Sequence, residues 1–71
     1  MKTTFYEGQE VQVIWFDDAE GSHFKVGEFE VEKITVVMEY GQMAGVPWFA
    51  IWKDGKINTK WNGAFIAGVE L

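Results

Sequence analysis

The sequence predicts an all-β domain: a single small five-stranded, strongly bent antiparallel sheet that closes into a barrel. Three observations lead there. No window of about eleven or more residues keeps apolar side chains at the i, i+3, i+4, i+7 spacing of a helix. Eight glycines are scattered singly, and Val, Ile, Phe and Trp dominate the intervals between them, which is the pattern of short strands and turns. Asp54-Gly55 sits between two alternating runs, a hairpin signal. At 71 residues the chain is one domain, residues 1–71. A chain of this size buries only about 60% of the surface that its unfolded form exposes, so its core is small.

The first strand is expected over Glu10–Phe16. The second runs over Phe24–Tyr40 with a bend inside it. Phe29 and Val31 are odd-numbered, whereas Ile34, Val36, Met38 and Tyr40 are even. A continuous strand places these sets on opposite faces, and a one-residue slip near Glu32–Lys33 restores a single face. Gly27 suits a bulge or a close backbone approach. Asp17–Ser22 and Gly41–Gly45 are the loops. The third and fourth strands are Pro47–Lys53 and Lys56–Trp61, joined by a type I′ turn. A two-residue turn sets 53 opposite 56, 52 opposite 57, 50 opposite 59 and 48 opposite 61. One face then carries Trp48, Ala50, Trp52, Ile57, Thr59 and Trp61, and is read as the core, with Trp48 paired across to Trp61. The other carries Phe49, Ile51, Lys53, Lys56, Asn58 and Lys60. After this hairpin two readings stand. Either Asn62-Gly63 turns a further hairpin and builds a meander, or Asn62–Ile66 forms a short 3₁₀ turn and only the segment ending at Leu71 pairs, elsewhere in the fold.

Gly8-Gln9-Glu10-Val11-Gln12-Val13, Val26-Gly27-Glu28-Phe29-Glu30-Val31-Glu32-Lys33-Ile34 and Gly68-Val69-Glu70-Leu71 resemble the opening, second and closing strands of SH3-like small barrels of the KOW or Tudor kind. The resemblance covers under a third of the chain and implies a fold, not a function. The arginines typical of nucleic-acid-binding members are absent. In style, a compact, acidic, Trp-rich chain without cysteine is similar to small proteins of phages and mobile elements.

Charge narrows the function classes. The chain has eleven acids against six lysines, no arginine and a net charge of −5. Phosphate neutralisation supplies most affinity for duplex nucleic acid, so duplex binding is not expected. The segment from Glu7 to Glu39 holds nine acids against two lysines, whereas the segment from Gly41 to Leu71 is net +1. The plain reading of the acids is a solvated surface that keeps the domain soluble. The sharper one is an acidic face made of Asp17, Asp18, Glu28, Glu30 and Glu32 that meets a basic partner. The absence of cysteine excludes disulfides, thiolate metal sites and a thiol nucleophile. No apolar run approaches the ~20 residues of a membrane helix, and Met1–Glu10 has no apolar signal segment. The expectation is a cytoplasmic protein that does not engage membranes.

Enzyme chemistry finds little support. His23 is the only histidine and Ser22 the only serine, and neither has a base or orienting partner near it in sequence. Asp17-Asp18-Ala19-Glu20 lacks the spacing of a Ca²⁺ loop, and turn chemistry explains its composition. No catalytic residue, metal or cofactor is expected.

The rings point to binding. Four Trp, six Phe and two Tyr exceed what so small an interior can enclose. Trp15 and Phe16 are neighbours and point to opposite faces of a strand. The surplus implies an interface, either between two copies of the chain in a homodimer or with a protein partner. The candidate binding residues are Trp15, Phe16, Phe49, Ile51, Asn58, Lys60, Trp61 and Phe65. The expected function is a non-enzymatic binding module, an adaptor or inhibitor. A second reading is a sequestering protein of the phage type that stacks Trp or Phe on a nucleotide-like ligand and meets its phosphate with Lys60 or Lys56. A third is weak binding of single-stranded nucleic acid, which a net charge of −5 opposes.

Overall fold

The computed structural model describes residues 5–38 and 46–71. Among the described residues the chain is all-β apart from one 3₁₀ turn. Its strands are β1 (Glu10–Val11), β2 (Val13–Phe16), β3 (His23–Lys25), β4 (Lys33–Met38), β5 (Pro47–Lys53), β6 (Lys56–Asn62) and β7 (Ile66–Glu70), with the 3₁₀ turn over Gly63–Phe65. They form two antiparallel sheets of order β1-β4-β5-β6 and β3-β2-β7. The sheets do not close into a barrel, so seven strands in two sheets replace the five expected in one.

The difference arises at two places. The first expected strand bends at Gln12, so that β1 pairs with β4 in one sheet while β2 pairs with β3 and β7 in the other. Gln12 stays bonded through the bend: its N–H donates to the Glu70 carbonyl at 2.8 Å and its carbonyl accepts from Val26 at 2.9 Å. The second expected strand is interrupted. Between β3 and β4 a turn is closed by Gly27 N–H to the Val31 carbonyl (2.9 Å) and Val31 N–H to the Glu28 carbonyl (2.9 Å). Parity does slip there, since Val31, Ile34 and Val36 are all buried, but a turn makes the slip rather than a bulge. Gly27 serves by its φ of +93°, with open space where a Cβ would stand, not by close approach. The expected strand's last residues, 39–40, and the Gly41–Gly45 loop lie outside the described residues.

The β5–β6 hairpin keeps its expected turn and changes its faces. Asp54 (φ 54°) and Gly55 (φ 76°) are both left-handed, as a type I′ turn requires. Lys53 faces Lys56 and Trp52 faces Ile57, but the register then shifts: Ile51 faces Thr59, Phe49 faces Trp61 and Trp48 faces Asn62. Asn58 is the extra residue of a bulge. The expected Trp48–Trp61 pair does not form, and Trp61 moves to the face of Phe49. That face points inward, because Ile51 and Phe49 lie across from Ile34 and Val36 of β4. The core is the cluster of Val11, Ile14, Val31, Ile34, Val36, Phe49 and Ile51. The expected core face is therefore the outer one. There Trp48 and Trp52 lie half-buried beside fully buried Ala50. The Trp52 indole donates to Thr35 Oγ1 at 2.8 Å, and Lys33 Nζ stands 4.3 Å from its ring centre. Ile57, expected in the core, is exposed.

The last segment follows the 3₁₀ reading. Asn62, buried at the end of β6, accepts from Ala64 N–H through its Oδ1 at 2.8 Å and caps the turn. A Cβ at Gly63 would stand 2.6 Å from the Pro47 carbonyl oxygen, so only glycine passes there. β7 then runs antiparallel to β2. Among the described residues no helix is long and apolar enough to cross a membrane.

Candidate functional site

Where the two sheets meet the 3₁₀ turn, the chain leaves an open cleft of about 420 Å³. Its walls are Phe16, Phe24, Trp61 and Phe65 with Ala64, and Asp17, Asp18 and Ser22 line it from the loop side. Each wall comes from a different element. Phe16 ends β2 on the inward face of Ile14. Phe24 lies opposite Ile14 on β3. Trp61 enters from β6 because the Asn58 bulge turns it inward. Phe65 ends the 3₁₀ turn that Asn62 caps.

The rings brace one another edge to face. The Phe16 and Trp61 centroids are 5.0 Å apart at 80° and those of Phe16 and Phe24 are 5.8 Å apart at 67°, arrangements that the ring quadrupole favours. Backbone bonds fix the rim. Phe16 N–H donates to the Ser22 carbonyl at 2.8 Å and Asp17 N–H to the Phe65 carbonyl at 3.1 Å. Asp18 Oδ1 accepts from Ser22 N–H at 3.0 Å. Bonds from the Ser22 hydroxyl and amide hold the Asp18 carboxyl below the ordinary carboxylate range. Phe65 keeps 62% of its surface exposed and Trp61 37%, so the cleft presents apolar ring area beside carboxylates.

The expected binding residues divide. Phe16, Trp61 and Phe65 come together here, joined by Asp17 and Asp18 of the expected acidic face. Phe49 and Ile51 are buried in the core and offer no surface, which corrects their reading as surface residues. Trp15 points away from the cleft: its ring stacks on His23 at 4.6 Å, and its indole donates to Glu70 Oε2 at 3.2 Å. Asn58 is exposed at the bulge. Lys60, next to Trp61 and across from Ala50, belongs to the outer face. Glu28, Glu30 and Glu32 belong to the β3–β4 turn. Phe24, expected only as the start of the second strand, is not among the candidate binding residues read from the sequence. Its signal was its even spacing from Val26, on the same strand face. Among the described residues no group of three or more His, Cys, Asp or Glu side chains is placed to hold a metal ion.

No protein-family model matches the chain, and neither a curated protein nor a solved structure matches it.

Proposed function

We propose that this protein is a non-enzymatic binding module whose cleft receives an apolar side chain of a basic protein segment. One observation carries the reading: of the aromatic residues described, Phe49 alone is buried, and four of the others converge on one cleft. Exposed contiguous rings mark interfaces, and Asp17 and Asp18 beside them favour a cationic neighbour. The nucleotide-like ligand has weaker support, because carboxylates and no lysine line the cleft. The fold belongs to the same proposal. The bent β1–β2 strand with β4, β5, β6 and β7 makes an open form of the SH3-like arrangement, with β3 an addition.

The test is an NMR titration with three short Leu-faced peptides whose other face is Lys, Glu or Gln. The Leu/Lys peptide is expected to shift the Trp61 indole signal, and Phe65→Ser to weaken it at least about tenfold. A nucleotide panel is expected to leave that signal and Tm unchanged. A nucleotide that raises Tm while the peptides do nothing overturns the reading. Light scattering on the same samples tests whether the partner is a second copy.

A further inference from the structure

We infer that the β3–β4 turn is a second, independent docking point, with Phe29 as an anchor for a protein surface that offers an apolar socket rimmed by Lys or Arg. Phe29 is 86% exposed, the most open of the exposed large apolar side chains. Its φ is +50° and that of Glu30 +67°, so two successive residues with Cβ atoms occupy the left-handed region, which bulky side chains avoid. Such strain persists only where the surroundings over-determine it, and here they do. The Gly27–Val31 and Val31–Glu28 backbone bonds close the turn. Glu28 Oε1 lies 3.6 Å from His23 Nε2, and Glu32 Oε1 accepts from Gly55 N–H at 2.7 Å. The turn is thus braced on both sides and holds its ring outward, with no ring stacked on it among the described residues. A rigid aromatic presented in this way loses little conformational freedom on binding. The occupant's charge follows from the neighbours. Glu28, Glu30 and Glu32 flank the ring on alternate positions, so a socket rimmed with cations fits and an acidic one is repelled. This surface shares no residue with the aromatic cleft.

The experiment titrates the parent, Phe29→Gly, Glu30→Gln and Phe65→Ser with the Leu/Lys, Leu/Glu and Leu/Gln peptides and follows the Val31 amide and the Trp61 indole separately by NMR. In Phe29→Gly the Leu/Lys peptide is expected to stop shifting the Val31 amide and to keep shifting the Trp61 indole, while Tm stays at or above that of the parent, because glycine accepts the left-handed φ. Glu30→Gln is expected to weaken the Val31 response and to flatten its salt dependence. A Val31 amide that the Leu/Lys peptide leaves unmoved in the parent, or moves equally in Phe29→Gly, overturns the inference. Loss of the Val31 response in Phe65→Ser as well makes the two surfaces one site and overturns it too.

Discussion

Gly63 shows how one atom decides a local path. Its missing Cβ lets the 3₁₀ turn pass the Pro47 carbonyl oxygen, from which a Cβ would stand only 2.6 Å away. That oxygen is backbone and cannot swing away, so Gly63→Ala is expected to cost about 1–3 kcal/mol, read as a lower midpoint in denaturant unfolding. The two half-buried tryptophans of the outer face differ in the same atomic way. The Trp52 indole N–H reaches Thr35, whereas the Trp48 Nε1 is buried with no hydrogen-bond partner among the described residues. An unmade buried bond costs about 1–3 kcal/mol, so Trp48→Phe is expected to cost less stability than Trp52→Phe in paired thermal melts. Asp18 carries a pH dependence of defined sign. Its carboxyl is held down by bonds from Ser22, so the loop contact is complete above the unfolded carboxylate value of about 3.9 and is lost as pH falls through the lower, folded value. The Ser22 amide signal should titrate with a midpoint below about 3.9, and Asp18→Asn should abolish that titration.

At the scale of elements, the β5–β6 hairpin separates what the sequence makes legible from what it does not. The turn was readable because Asp-Gly is one of the few pairs that fit two successive left-handed positions well, and its ends fell where expected. The bulge was not readable. Nothing in Lys56-Ile57-Asn58-Thr59-Lys60 distinguishes a strict two-residue alternation from one interrupted at Asn58, and the slip moves every later side chain to the other face. The inward face was chosen by the neighbour, since Ile34 and Val36 of β4 lie against Ile51 and Phe49, and pairing across a long connection leaves no local trace. The single-strand reading of 24–40 failed for a related reason. Parity exposed the slip, but a non-glycine pair at positive φ is too uncommon to anticipate from Phe29-Glu30. Of the candidate site, Phe16, Trp61, Phe65 and the two aspartates were legible as surplus rings and loop acids; Phe49 and Ile51 were misplaced because their face was inverted. Deleting Asn58 is expected to restore strict alternation and send Trp61 outward, read as loss of nuclear Overhauser contacts between the Trp61 and Phe16 rings.

For the whole molecule, ring area left outside is the dominant property. Apolar surface that a body this small cannot enclose is also surface on which it can associate. A second copy of the chain would add Asp17 and Asp18 to another acidic surface, so self-association is expected to strengthen as salt screens like charges, measured as sedimentation mass at low and high ionic strength. The bend at Gln12 has a further consequence. Because β1 and β2 are one run of chain serving both sheets, β2 is completed by β7, whose partners lie some fifty residues away: Ile14 pairs with Val69. Pairings of such long range form late. On the ribosome, a nascent chain that has not yet released Ile66–Glu70 leaves β2 with only the three-residue β3 beside it. Assembly of the smaller sheet therefore waits on translation, and a product stalled or clipped before Ile66 would lack the strand that completes β2 and the Ile66 and Val69 side chains that pack on the core.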